Sequence, residues 1–169
     1  GEDERVLGAV QAVLDEGLAV PVLIGRPEVI EAHIKRAGLR MVIGREIEVV
    51  NPDHDPRYPE LWQDYYQIMV RQGVTIDLAK KALRSDTTLI GAMLLRRGDV
   101  DAMLCGIVGQ HARHLQHVSD VIGLKPTAHE FAAMNLLMLP KHTLFVCDTY
   151  VNEDPSAEQL AAITLMAAE

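Results

Sequence analysis

The residues best suited to bind a ligand lie in residues 98–122, where glycines separate an apolar run from a helical pattern. Residues 100–105 are mostly apolar, too short for a helix and bounded by glycines, which predicts a buried strand of a parallel sheet. Gly106 and Gly109 then precede a predicted helix. A strand that leads into a helix through glycines leaves unpaired backbone N–H groups, which can bind an anion. The alternative is a strand–helix turn without a ligand.

Histidines of this helix are the next candidates. His111, His114 and His117 repeat every three residues, so neighbouring pairs can meet on one face, and two imidazoles could bind Zn²⁺. The third ring would be turned about 60° further round the helix, and no Cys or Glu is spaced to complete a site. We therefore expect no metal, and instead hydrogen bonding by neutral rings along a cleft, with some pH sensitivity.

Other patterns carry less chemistry. The run Asp53-His54-Asp55 could ligate a metal, but adjacent side chains diverge and three prolines surround it, so it predicts a solvated loop. There is no Cys–His or Ser–His–Asp arrangement and no Gly-x-x-x-x-Gly-Lys motif. The sequence therefore predicts no catalytic nucleophile.

The elements that must position these residues alternate between helix and strand. Apolar spacing, caps and glycine terminators predict helices at residues 3–16, 28–37, 61–69, 87–97 and a short one begun by Thr75, with strands at residues 20–24 and 47–50. On the 61–69 helix, Trp62 and Tyr65 are interpreted as core or interface residues. The alternation predicts an α/β fold, a three-layer αβα sheet domain, followed by part of a second α/β lobe.

After residue 106 the pattern changes. Residues 131–139 and 144–151 predict two strands joined as a hairpin, and Ser156 with Gln159 forms a capping box for a last helix. We therefore place a lobe boundary there, with residues 1–105 as an incomplete first lobe and residues 106–169 as the start of a second. Both ends of the chain lie in helical patterns, which predicts a piece of a longer protein.

Composition limits the class of partner. The chain has 169 residues, 49% of them apolar, and a net charge of −8, which argues against nucleic acid as a partner. Cys105 and Cys147 lie in apolar runs, which predicts buried, reduced thiols in a cytoplasmic protein. No signal peptide is present, and no apolar run approaches the roughly 18 residues of a membrane span. We expect a soluble protein.

Several blocks of the sequence resemble the phosphate acetyltransferase and phosphate butyryltransferase family. They cover nearly the whole chain and lie at residues 2–7, 22–25, 73–75, 91–94, 98–103 and 152–160. The resemblance implies a phosphotransacetylase-like fold, similar in architecture to isocitrate and isopropylmalate dehydrogenases. The sequence looks most similar to the version fused behind a malic enzyme domain in bacterial NADP-dependent malic enzymes. That version implies a homo-oligomer whose regulatory module senses acetyl-CoA, with NADP and a divalent metal bound in another domain and no cofactor here.

Departures from the family pattern bear on activity. The resemblance implies an arginine at position 69 and a Leu-Arg pair at 115–116, whereas this chain has Met69 and Gln116; Gln110 and His111 replace its Ser/Thr residues. The resemblance also implies that the family's catalytic Ser-Arg…Asp group would lie beyond residue 169. The first strand of the family would lie before residue 2. Transfer between an acyl phosphate and CoA needs guanidinium groups that bind phosphate oxygens. Arg71 and Arg113 lie near these positions and could partly compensate, but we interpret both as surface arginines.

The leading hypothesis is therefore a non-catalytic acyl-CoA-sensing segment of a bacterial NADP-dependent malic enzyme, with its ligand between the lobes. The candidate ligand-binding residues are Gly106, Gly109, Gln110, His111, Arg113, Gln116, Arg71, Asp148 and Asn152. Asp148 and Asn152 could equally be turn and cap residues. The alternatives are an active phosphate acyltransferase, and an architectural module that holds subunits together.

Overall fold

The computed structural model describes residues 1–169, which form two units, Gly1–Ile122 and Gly123–Glu169. The first unit begins with α1 (Glu4–Asp15), β1 (Val22–Ile24), α2 (Pro27–Arg36) and β2 (Glu48–Val50). Strands β1 and β2 pair in parallel. This confirms the predicted helix–strand alternation, with shorter strands than the apolar runs suggested.

Four helices complete the first unit: α3 (Tyr58–Met69), α4 (Ile76–Ser85), α5 (Thr87–Arg97) and α6 (His111–Val121). A 3₁₀ turn, Val70–Gln72, follows α3. The predicted cap of α4 is confirmed, because the Thr75 hydroxyl accepts a hydrogen bond from the Leu78 N–H at 3.3 Å. Helix α5 ends at Gly98, whose φ of +78° is a left-handed conformation that glycine adopts without strain.

Helix α5 is the centre of the larger of two apolar clusters, because seven of its consecutive residues, 88–94, are buried. It packs against α3, α4 and α6, with Leu61 and Tyr65 of α3 in the same cluster. Trp62 is half-buried, with the Lys80 ammonium 4.6 Å from its ring centre. The smaller cluster joins α1, α2 and β1. The first unit thus holds α5 rigidly, which matters because α5 carries the candidate site.

The predicted strand at residues 100–105 is wrong. These residues form no strand, and Leu104 and Cys105 are exposed. The reason is that their backbone pairs with no neighbouring strand in the described chain, so apolar composition alone gives no ladder. The segment is held instead by Met103, whose sulfur packs against Gly91 of α5, where an added Cβ would lie 2.8 Å from it.

The second unit contains the predicted hairpin and last helix. Strands β3 (Met134–Met138) and β4 (Thr143–Cys147) are antiparallel, and α7 (Ala157–Ala168) begins at the Ser156 capping box. Every residue of both strands is exposed. Cys147 is therefore exposed like Cys105, and the prediction of buried thiols is wrong for both.

The first unit ends at Ile122 and the second begins at Gly123, whereas the predicted lobe boundary lies at residue 106. Helix α6 falls in the first unit because it packs on α5. The assignment of lobes in a longer protein stays a prediction. Every helix is too short or too polar to cross a lipid bilayer.

Candidate functional site

The candidate site is built on the first turn of α5, where Asp86 is the N-cap. Its Oδ1 atom accepts hydrogen bonds from the backbone N–H groups of Thr88 at 3.0 Å and Leu89 at 3.2 Å. An aspartate is favoured here because it satisfies free N–H groups and interacts well with the positive end of the helix. Since α5 is buried along most of its length, the Asp86 carboxylate has a fixed position.

The second oxygen of Asp86 binds two side chains of α6. Arg113 Nε donates to Oδ2 at 2.8 Å, and His117 Nε2 lies 2.9 Å from the same atom. The Asp86 side chain is only 11% exposed, and such burial raises the pKa of a carboxyl group. The hydrogen bonds from His117, Leu89 and Arg113 outweigh burial and lower the pKa of Asp86 below its ordinary value. The group is therefore a carboxylate at neutral pH.

The imidazole of His117 is fixed by this contact. When neutral, the ring carries its hydrogen on Nε2, where the Asp86 carboxylate accepts it. The other ring nitrogen, Nδ1, is buried and has no hydrogen-bond partner. A buried lone pair without a partner costs free energy, so the contact with Asp86 must compensate for it.

A second pair of contacts joins α5 to the glycine-rich segment of residues 106–110, which we call the glycine loop. Thr88 Oγ1 lies 2.8 Å from His114 Nδ1, and His114 Nε2 lies 2.9 Å from the carbonyl oxygen of Val108. Gly109, with φ of +109°, lies so close that a Cβ there would be 2.9 Å from His114 Nε2. His114 therefore bridges a buried hydroxyl of α5 and the loop backbone.

The glycine loop itself is exposed, as the anion-binding hypothesis requires. Gly106 has φ of +117°, a conformation that L-amino acids rarely adopt. The pKa of the neighbouring Cys105 thiol is raised, first because protein atoms near this solvent-accessible side chain displace part of its water and second by the negative charge of Asp86. Cys105 is therefore a poor nucleophile at neutral pH.

The other predicted ligand-binding residues of the first unit are dispersed. Gln110 is the N-cap of α6 but its side chain forms no capping hydrogen bond, and His111 beside it is exposed. Gln116 donates to Asp120 Oδ1 at 2.7 Å. Arg71 is exposed on the 3₁₀ turn. Of the predicted residues, the structure thus gathers Arg113 and the glycine loop around α5, while Gln116 is paired within α6.

Asp148 and Asn152 lie in the second unit and bind each other. Asp148 Oδ2 accepts from the Asn152 backbone at 3.0 Å and from its side chain at 2.6 Å, while Oδ1 accepts from the Ala133 N–H at 3.0 Å. The Asn152 amide also donates to the Phe131 carbonyl at 2.9 Å. These bonds stabilise the ends of the hairpin, and the bonds from Ala133 and Asn152 lower the pKa of Asp148.

Asp86 and Thr88 were not among the residues predicted from the sequence. A signal was present, because an aspartate directly before a predicted helix start at residue 87 is a typical N-cap. Its contacts with α6 could not be read in this way, since they join residues 27 and 31 positions apart. The structure contains no cluster of three or more His, Cys, Asp or Glu side chains that could hold a metal ion.

The family model described as Phosphate acetyl/butaryl transferase matches residues 1–169. The chain is 50% identical over its whole length to the NADP-dependent malic enzyme of Escherichia coli and 46% identical over 99% of its length to the NAD-dependent malic enzyme of Rhizobium meliloti. It spans only 22% of the length of each of these relatives. A phosphate acetyltransferase of Corynebacterium glutamicum is 28% identical over the whole chain, which covers 50% of that relative.

Solved structures show the same fold. A phosphotransacetylase from Streptococcus pyogenes matches 96% of the chain with a TM-score of 0.86 and 24% sequence identity, and the match covers 49% of that structure. The EutD phosphotransacetylase from Staphylococcus aureus gives a TM-score of 0.85 at 21% identity, with 48% of that structure covered. The predicted α/β, phosphotransacetylase-like architecture is therefore confirmed.

Proposed function

Because the chain belongs to the Phosphate acetyl/butaryl transferase family, we propose that it is a regulatory module that binds acetyl-CoA or a related acyl-CoA without transferring the acyl group. The identities of 46–50% with malic enzymes support its place in a bacterial malic enzyme. The conversion of malate to pyruvate, CO2 and reduced NADP would then occur in another domain, which would also hold the divalent metal. The longer protein would act as a homo-oligomer in the cytoplasm.

The observation that carries this proposal is the loss of positive charge where the transferase pattern requires it. Met69 occupies one such position and is 5% exposed within the apolar cluster around α5. Gln116 occupies the other, and its neutral amide is bonded to Asp120. An acyl phosphate and CoA are both polyanions, and aligning them for reaction needs fixed guanidinium groups. Without those groups, binding of one polyanion is a more reasonable function than transfer between two.

Features that support binding remain in the chain. The glycine loop is exposed and leads into α6, so its backbone N–H groups can face an anionic ligand. Arg113, in the first turn of α6, is 66% exposed and adds a positive charge beside that loop. These are the groups that a phosphate of an acyl-CoA would contact.

Regulation would follow from differential affinity. A ligand that binds one arrangement of the oligomer more tightly shifts its equilibrium by the coupling free energy, typically about 1–3 kcal/mol. No reacting group is needed for this effect. An acyl-CoA that reports carbon supply could thereby change malate turnover in a separate domain.

The proposal is tested with the full-length protein. Titration calorimetry with acetyl-CoA should give binding heat, and malate turnover should change over the same range of acetyl-CoA concentration. Acetyl phosphate, which lacks the CoA moiety, is the matched ligand control and should not reproduce the change. Absence of both heat and altered turnover would refute the proposal.

An active phosphate acyltransferase is the second candidate, favoured by the 28% identity with the Corynebacterium glutamicum enzyme over the whole chain. A coupled thiol assay with acetyl phosphate and CoA separates the two functions. Turnover by the full-length protein would favour the transferase, and silence would favour the regulatory module. Gln116→Arg, at an exposed position of α6, tests whether a missing guanidinium group contributes to the silence; arginine at the buried Met69 would instead place a charge in the apolar cluster.

A further inference from the structure

The Arg113 guanidinium is held by only one of its three nitrogens. Nε donates to Asp86 Oδ2 at 2.8 Å, and neither Nη atom has a hydrogen-bond partner in the structure. The side chain is 66% exposed, whereas the Asp86 carboxylate is 11% exposed. The pair is therefore asymmetric: the Asp86 carboxylate, which we call the anchor, is fixed in the protein, while the two terminal NH2 groups of Arg113 form no hydrogen bond with it.

The anchor is itself unusually well fixed. Asp86 accepts two backbone hydrogen bonds from the first turn of α5 through Oδ1, and His117 binds Oδ2 from α6. The His117 side chain is 14% exposed, and its Nδ1 atom is buried without a hydrogen-bond partner. Apart from Arg113, three donors thus define the position of this carboxylate, more than an N-cap requires.

We propose that Asp86, supported by His117, is a positioning residue that holds Arg113 with both Nη atoms directed at a phosphate group of the acyl-CoA. This inference rests on the proposed function, because it assigns the residue that orients the phosphate contact of that same site. A free arginine side chain must be immobilised when it binds, whereas Arg113 is already restrained at Nε. The two Nη atoms remain available for a forked contact with phosphate oxygens.

The opposite role for Asp86 would be to neutralise Arg113 and so weaken anion binding. The geometry argues against it. The carboxylate contacts Nε rather than the terminal nitrogens, and its charge is compensated by two backbone N–H groups at the positive end of α5 and by His117. It therefore restrains the arginine without covering the atoms that a phosphate would contact.

The test uses two ligands and the substitution Asp86→Asn in the full-length protein. Asparagine keeps the cap of α5 through Oδ1 but presents an NH2 group to Arg113 and His117. We expect the Kd for acetyl-CoA to rise about three- to tenfold. The Kd for S-acetylpantetheine, which has the same acyl end and no phosphate, should change less than twofold. Equal weakening for both ligands would indicate a merely structural role and would overturn the inference.

Two further variants complete the design. Arg113→Lys leaves the α5 cap intact and keeps the positive charge. A single ammonium group, however, cannot bind Asp86 and also form two parallel hydrogen bonds with a phosphate. Acetyl-CoA binding should therefore weaken by a similar factor. Asp3→Asn is the control, since Asp3 also caps a helix, α1, and binds an arginine, although Arg5 donates to it through both Nε and Nη2. It should leave both Kd values unchanged.

The outcomes separate the two proposals. Absence of acetyl-CoA binding by the wild-type protein would refute the proposed function and this inference together. If the wild-type protein binds acetyl-CoA and neither Arg113→Lys nor Asp86→Asn changes the Kd, this inference alone is refuted. Tighter binding of acetyl-CoA by Asp86→Asn would show that Asp86 opposes anion binding, and would also overturn it.

Discussion

Replacing Thr88 by valine should loosen the glycine loop while leaving α5 intact. Thr88 is buried, and its hydroxyl lies 2.8 Å from His114 Nδ1, which in turn holds the loop through the Val108 carbonyl. Valine has nearly the same shape and helix propensity, so the substitution removes the hydroxyl and little else. The perturbation therefore tests one hydrogen bond.

The expected magnitude follows from the surroundings of His114. A typical net contribution of one hydrogen bond is about 1 kcal/mol, and an unsatisfied buried partner would increase the cost. The His114 ring is only partly buried, so water can reach it and the lower figure applies. A loss of about 1 kcal/mol corresponds to roughly a fivefold increase in the population of the open loop.

Hydrogen exchange in the full-length protein is the appropriate measurement, because it reports local opening within a multidomain protein. The amides of Arg113 and His114, which donate to the Gln110 carbonyl at the end of the glycine loop, should exchange about fivefold faster in Thr88→Val. Thr87→Val, at the exposed neighbouring position, is the matched control and should not alter them. In a double-mutant cycle with His114→Ala, a coupling energy near zero would refute the proposed bridge.

Three other predictions follow from the fold and concern stability. Leu89→Ala, at a fully buried site of α5, should destabilise the protein by about 2–5 kcal/mol in urea unfolding, whereas Leu165→Ala at an exposed site of α7 should have little effect. Gly98→Ala should lower the stability by about 1 kcal/mol because its φ is +78°. Gly8→Ala, in the interior of α1 with open space around it, should raise the stability by up to about 1 kcal/mol. Calorimetric Tm shifts in the same direction for both variants would contradict this. Because folding lowers the pKa of Asp86, its carboxylate should stabilise the fold above its unfolded pKa of about 4, and this stabilisation should be lost as pH falls through the folded pKa. The amount by which Asp86→Asn lowers Tm should therefore shrink between pH 6 and pH 3. A Tm difference that stays constant would exclude this linkage.

Local sequence signals were reliable wherever local chemistry decides the structure. Thr75 and Ser156 were predicted as caps and are capping side chains, and helices begin directly after each of them. Asp3 is a cap as well, although the predicted helix began at that residue. Gly98 ends α5 at the predicted residue. The hairpin and the parallel pair β1–β2 were also predictable from apolar runs and the residues between them. Family blocks spread along the chain were sufficient to identify the architecture.

The segment at residues 100–105 shows that local sequence signals do not predict pairing between distant strands. Its composition is that of a buried strand, yet a strand exists only when another backbone supplies the ladder, and no neighbour pairs with it here. The exposure of Cys105 and Cys147 has the same origin, because burial depends on which surface packs against a segment.

The candidate site was predictable in part. Glycines and Arg113 were visible in the sequence, since residue type and spacing are enough to indicate an exposed loop beside a cation. Asp86 was not assigned to the site, because its contacts with Arg113 and His117 arise from the packing of α6 on α5. By itself, the sequence determined most of the helices, the caps at Thr75 and Ser156, and the family. Only the tertiary structure decided which charges meet, because that depends on contacts between residues distant in the chain.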